Sequence, residues 1–183
     1  MLTIHRVHAV LLTEDGVPCA GQAVVVSGDR FAAIGPAEEL LAEYGERARV
    51  RTWGGVLTPG RYEPDAAALL EAAYWPDPRE ADVLGTEPLT GTALDALEMT
   101  DARWGASARR GLQRLLTAGT TAISGPFTRP TVRTAVERSG IRVLSAPRPQ
   151  ALVPSGLADF AVFDEEGVCL VTALGGRLLH RRR

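Results

Sequence analysis

Three histidines, His5, His8 and His180, are the first candidates for metal ligation or general-base work in this sequence. A catalytic zinc needs about three His, Asp, Glu or Cys ligands converging on one point. His5 and His8 stand three apart in an apolar, β-branched run, so on a strand they project from opposite faces and cannot chelate together. His180 could approach one of them if the first and last strands pair, which gives at most a two-histidine site. Glu63, Asp65 and Asp101 are the candidate catalytic carboxylates, since one carboxyl with a raised pKa beside an ionised one is a familiar acid–base pairing. A plainer role competes with it: Asp65 and Asp101 each precede a helical stretch and are expected to cap it, worth about 1 kcal/mol each. Ser124-Gly125 and Ser155-Gly156 lack the Gly-x-Ser-x-Gly elbow of a serine hydrolase. Gly54-Gly55 and Gly175-Gly176 read as turns rather than phosphate cradles, because neither opens a helix after a strand. All 20 basic residues are arginine, so no lysine can serve as a Schiff-base nucleophile, a carbamylated metal bridge or a phosphate-loop ligand.

The elements that must position these groups fall into a recognisable rhythm. Residues 2–13 read as a strand, and 23–27 and 30–34 flank Gly28-Asp29, a glycine-led connection typical of a tight hairpin. Pro36 opens a short helix over 37–44, with Glu38 and Glu39 in its first turn and Gly45 as a left-handed stop. A strand over 48–53 leads through Gly54-Gly55 to Val56-Leu57. Residues 65–74 read as a helix, whereas 76–99 mixes Pro, Gly and acids and is expected to be a long loop with one helical turn near 93–97. A firmer helix runs from Thr100 or Asp101 to Ala118, placing Trp104, Ala108, Leu112, Leu115 and Leu116 on one face. A strand over 120–124, a helix over 130–139 capped by Gly140 and a strand over 141–144 complete a β-α-β unit with parallel strands. Three prolines mark 145–155 as a linker, and strands over 158–164, 168–173 and 177–180 close the chain.

The apolar segment Gly54-Gly55-Val56-Leu57-Thr58-Pro59-Gly60 resembles the first barrel strand of the metal-dependent amidohydrolases. Further stretches agree with that family in its own order. The hairpin from Val24 to Gly35, with Trp53 following, resembles the start of imidazolonepropionases and aminodeoxyfutalosine deaminases. Leu115-Leu116-Thr117-Ala118-Gly119-Thr120-Thr121 and Gly140-Ile141-Arg142-Val143-Leu144 resemble the helix and strands that come next. The stretch from Gly156 to Asp164 and Leu174-Gly175-Gly176-Arg177 resemble the closing strands. The resemblance implies that both chain ends meet in one small β-sandwich, the composite domain, beside a TIM-type barrel. It also implies Pro-Gly-x-x-Asp-x-His-x-His with two metal-binding histidines, but Asp65 and Ala67 stand where those histidines would be. A TIM barrel takes about 250 residues, and residues 56–144 leave room for roughly three of its eight strands. The later strands, which in the family carry the other ligands, have no counterpart.

The 183 residues, 45% of them hydrophobic, suffice for a core in one domain or two small ones. A net charge of −2 with interspersed signs gives no field for nucleic acid or an anionic membrane. Basic clusters at Arg109-Arg110 with Arg114 and at Arg181-Arg182-Arg183 read as solvated charge or a weak contact with anions or an acidic partner. Cys19 and Cys169 are too few for a disulfide framework and are expected to be reduced. No apolar run has the length of a membrane span, and the N-terminus lacks a leader pattern, so a cytoplasmic location is expected. The expected fold is mixed α/β: a composite β-sandwich from 1–57 with 156–183, a truncated β-α-β barrel remnant over 58–144, and a linker over 145–155. The expected function is a non-catalytic, amidohydrolase-related protein without metal or other cofactor, acting through a partner or small ligand. The alternative is a residual hydrolase or deaminase of non-peptide C–N bonds whose site another subunit completes. An open strand edge calls for a homodimer or a complex with a full-length amidohydrolase.

Overall fold

The computed structural model describes residues 1–182. The chain runs β1 (Leu2–Arg6), β2 (Ala9–Val10), β3 (Cys19–Ala20), β4 (Gln22–Ser27), β5 (Arg30–Pro36), α1 (Ala37–Tyr44), β6 (Ala48–Thr52), β7 (Val56–Pro59) and β8 (Arg61–Glu63). It continues through α2 (Ala66–Glu71), a 3-10 turn (Pro78–Glu80), α3 (Ala81–Leu84), α4 (Gly91–Asp95), α5 (Asp101–Thr117), β9 (Thr120–Ser124), α6 (Pro130–Ser139) and β10 (Arg142–Leu144). The last strands are β11 (Phe160–Phe163), β12 (Cys169–Leu174) and β13 (Arg177–Arg181). Two compact units result. The first holds Met1–Tyr62, Leu116–Thr121 and the residues from 148 onward; the second holds Glu63–Leu115 and Ala122–Pro147.

The first unit is the β-sandwich expected from the two chain ends. One sheet has the order β5-β4-β1-β6, the other β13-β12-β11-β7-β2-β3. The β4–β5 hairpin turns at Gly28, whose φ of 62° is a left-handed conformation that glycine adopts without strain. Alternation along the strands sends Val24, Val26 and Phe31 of the first sheet against Leu57, Phe160, Val162 and Val171 of the second, all buried in one cluster. The other face of the first sheet packs Ile4, Ala23 and Val25 against Leu40 of α1. That helix starts after Pro36 with Glu38 and Glu39 in its first turn, as the sequence predicts. Its end differs: Gly45 keeps right-handed angles, φ −56°, and its N–H closes on the Leu41 carbonyl at 2.8 Å.

Residues 148–155, read from their prolines as a linker, are fastened to this unit. Leu152 is buried in the sandwich core, its N–H donates to the Leu12 carbonyl, and Arg30 donates to the Ser155 carbonyl at 2.7 Å. Prolines interrupt periodicity without preventing one apolar side chain from reaching a core. Within the second sheet, the chain entering β7 runs tightly against β11 at Gly55, where an added Cβ would lie 2.2 Å from the Phe163 carbonyl oxygen. Because backbone rather than a flexible side chain occupies that space, Gly55→Ala is expected to cost about 1–3 kcal/mol in a urea titration.

In the second unit β9 and β10 pair in parallel, Arg142 opposite Ala122 and Leu144 opposite Ser124, with α6 between them in sequence. Gly140 ends α6 in the left-handed conformation. The predicted apolar face of α5 is buried at Trp104, Ala108, Leu112 and Leu115. Residues 76–99, expected as a long loop with one helical turn near 93–97, hold the 3-10 turn, α3 and α4, and a clasp fixes them. Tyr74 donates its hydroxyl to Glu80, Arg103 donates to Glu80 at 2.9 Å, and Tyr74 and Leu89 exchange backbone bonds. The Tyr74 hydrogen bond first, then the Asp77 amide and the Arg103 charge, hold the Glu80 carboxyl below its ordinary range despite some burial. Among the described residues no helix is long and apolar enough to cross a membrane.

Candidate functional site

The Thr-Pro-Gly strand is part of the sandwich sheet. Pro59 lies opposite Phe160 and Thr58 opposite Ala161 in the antiparallel β7–β11 pair. Gly60 then passes so close to Thr121 that a Cβ would fall 2.0 Å from its hydroxyl oxygen. Beyond it the chain reaches the three candidate carboxylates, which stand in separate local settings. Glu63 accepts the Asp65 N–H at 2.9 Å. Asp65 is exposed at the start of α2 with φ −97° and ψ 22°, and its side chain makes no capping bond, contrary to the role the sequence suggested. The capping geometry needs an extended residue whose oxygen faces the first amides, and these angles turn it away. Asp101 is exposed in the first turn of α5, where the capping oxygen belongs to Thr100, which accepts the Arg103 N–H at 3.3 Å.

A metal centre of the family's type does not fit this donor set. Ala67 has no donor atom, and among the described residues no three His, Cys, Asp or Glu side chains converge. His5 is buried in β1, but the single strand expected over 2–13 breaks after Arg6 as the chain crosses to the other sheet, and His8 is exposed between β1 and β2. β13 pairs with β12, not with β1, so His180 belongs to the other sheet, where its Nε2 lies 3.3 Å from the Cys169 carbonyl.

The sandwich unit does contain a concave site that sequence reading missed. A cavity of about 430 Å³ opens between the start of β1, the end of β6 and the β12–β13 turn. Thr3 and His5 of β1, Arg51 of β6, Val26 of β4 and Arg177 and Leu178 of β13 line it. The register explains the grouping: His5 sits directly opposite Arg51, and Thr3 opposite Arg49, in the parallel β1–β6 pair. Gly175 and Gly176 take φ of 53° and 71°, and a Cβ on Gly176 would fall 2.6 Å from Val26 and 2.7 Å from the Gly28 carbonyl. These glycines let the β12–β13 turn close against the β4–β5 turn and wall the cavity.

His5 is held there as a neutral imidazole. Its pKa is lowered to about 4, first by burial and then by the Arg51 charge. The Trp53 indole N–H donates to His5 Nδ1 at 3.0 Å, and the Phe160 ring meets the imidazole edge-on at 4.9 Å. An indole nitrogen only donates, so the His5 proton must reside on Nε2. The one signal that could have exposed this site was the Arg49-Val50-Arg51 alternation, which puts two guanidinium groups on one face of an otherwise apolar strand.

Residues 23–46, covering β4, β5 and α1, match the family model described as the imidazolonepropionase-like composite domain of bacteria. Solved structures give the same fold. The chain is similar to A. niger ochratoxinase at a TM-score of 0.52 and 20% identity, over 78% of this chain and 30% of that one. It is similar to a zinc-bound adenosine deaminase from Xanthomonas campestris at 0.50 and 17%, over 78% and 33%. It is similar to E. coli guanine deaminase at 0.54 and 12%, over 78% and 35%. The chain thus spans about a third of the length of these structures. No curated protein matches it by sequence. Both findings agree with the sequence reading: residues 23–46 match the composite-domain model, and the mixed α/β fold is similar to that of these structures.

Proposed function

We propose that the protein is a non-catalytic relative of imidazolonepropionase-type amidohydrolases that acts by binding a partner or a small ligand in the bacterial cytoplasm. The observation that supports this reading most is the donor set after the Thr-Pro-Gly strand, where Asp65 is exposed and Ala67 offers no ligand atom. Cys19, exposed and unpaired, suits a reducing compartment. β10 is the outer strand of its sheet and leaves Val143 47% exposed, which supports a homodimer or a complex with a full-length amidohydrolase that covers this edge.

Two measurements test the reading. Elemental analysis of the purified protein is expected to find zinc and iron well below one per chain, and the double variant Asp65→His with Ala67→His is expected to show no deaminase or C–N hydrolase activity. Stoichiometric metal with turnover of a cyclic or purine-like substrate would replace this reading with the second one, a residual hydrolase completed by another subunit. Light scattering is expected to give twice the chain mass, or a heavier complex when a full-length amidohydrolase is added; a monomer in both cases counts against the partner.

A further inference from the structure

The lining of the sandwich cavity is cationic without being neutralised. Among the described residues the ion pairs are Arg103–Glu80 and Arg110–Asp77, and neither Arg51 nor Arg177 takes part in one. The Nε–H of Arg51 is out of solvent and has no hydrogen-bond partner. A buried donor left unsatisfied is destabilising, so this Nε–H is a hydrogen-bond position that a ligand in the cavity can satisfy. Burial, then the charges of Arg49 and Arg181, push Arg51 below its ordinary pKa, and no carboxylate offsets them. The nearby carboxylate Asp159 is turned to the Gly175 N–H, which it accepts at 2.7 Å.

The remaining walls limit what could enter. The turn amides are already committed, Gly175 to Asp159 and Gly176 to the Ala158 carbonyl, so side chains rather than backbone must hold a ligand. Those side chains are donors: two guanidinium groups, the Nε2–H that the Trp53 bond imposes on His5, and the Thr3 hydroxyl. Val26 and Leu178 supply apolar wall. At about 430 Å³ the space is that of a small-molecule site, too small for a folded partner.

We propose that this cavity binds a small organic anion, its carboxylate or phosphate head held by Arg51 and Arg177 with His5 Nε2–H, and its short apolar body against Val26 and Leu178. Guanidinium groups suit either head because their planar donors match two oxygens at once. This site deepens the small-ligand half of the reading above and needs no chemistry at Asp65 or Ala67.

The test is calorimetric titration of the full chain with sodium phosphate, sodium benzoate and sodium chloride at matched ionic strength. Saturable binding of phosphate or benzoate is expected, with none for chloride, and the tighter of the two tells whether the head is phosphoryl or carboxylate. Arg51→Gln and Arg177→Gln are each expected to weaken the binding about tenfold or more, since each removes a charge-assisted hydrogen bond. Arg109→Gln, on the exposed part of α5, is expected to leave it unchanged. Arg177 is exposed at the start of β13, so its variant decides the matter alone if Arg51→Gln does not fold. Absence of saturable binding for both anions, or binding that survives in Arg177→Gln at full strength, overturns the site. Either result leaves the partner-binding reading standing, because that one is decided by light scattering and metal content.

Discussion

Replacing Phe160 by alanine is expected to lower the unfolding free energy by about 3–5 kcal/mol. The side chain is wholly buried, at the centre of the cluster that joins the two sheets. Its ring lies 6.1 Å from that of Phe31 and 4.9 Å from that of His5, and its backbone pairs with Pro59. Truncation therefore removes contacts between residues from the N-terminal third of the chain and a strand from its C-terminal end. The neighbours are strand residues fixed by ladders on both sides, so the cavity cannot collapse cheaply. Domains of this kind carry about 5–15 kcal/mol in total, so the loss is a large share. Val143→Ala, on the exposed outer strand β10, is expected to change stability by under about 0.5 kcal/mol. Urea titrations of both variants make the comparison. A loss below about 1 kcal/mol at Phe160 would mean that the two chain ends are not held together through it.

The second large effect is a dependence of stability on pH that traces to His5. Its imidazole has a pKa of about 4 in the folded protein against 6.5 when free of it. Between those values the unfolded chain binds a proton that the folded chain does not, so stability falls as pH drops through 6.5 toward 4 and is level above neutrality. The shift corresponds to a loss of about 2 kcal/mol between pH 7 and pH 5. Glu80, whose carboxyl is held low by Tyr74, acts in a more acid range, losing its stabilisation only as pH falls below the ordinary carboxylate value. The interval from pH 7 to pH 5 therefore isolates the histidine. His5→Gln keeps an acceptor for the Trp53 N–H but has no titrating group, and its unfolding free energy is expected to be flat over that interval. A wild-type profile equally flat would show that His5 is not buried as a neutral base.

Protonation of His5 would also remove the lone pair that Trp53 donates to, so the indole hydrogen bond and the charge state change together. The same residue links the sandwich core to the cavity: its ring packs on Phe160 and its free nitrogen is a donor beside Arg51. Stability below pH 6.5 and the chemistry of the cavity thus share one side chain.

Much of the local structure was legible from residue types alone. Gly28-Asp29 between two β-branched runs specified the β4–β5 hairpin, and Pro36 with two glutamates specified the start of α1. The spacing of Trp104, Ala108, Leu112 and Leu115 identified the buried face of α5, and Gly140 the end of α6. These features depend on neighbours within a turn or two. The clasp over residues 76–99 was not legible, because Tyr74, Glu80 and Arg103 meet across 29 positions of sequence and share no local pattern. Asp65 was a reasonable cap by type and failed on backbone angles, which its identity does not set.

What the sequence by itself determined is most of the longer helices and strands, the meeting of both chain ends in a sandwich through their resemblance to composite domains, and the missing histidines at Asp65 and Ala67. The elements follow from residue identity and short-range periodicity, while the sandwich and the missing histidines are what the resemblance implies. Only the tertiary structure decided that β13 pairs with β12 rather than β1, that β7 lies between β2 and β11, and that His5 stands opposite Arg51 beside a cavity closed by Gly175 and Gly176. Strand order and register are set by which apolar faces can be buried together across long stretches of chain, and alternation along a single strand carries no information about its partner.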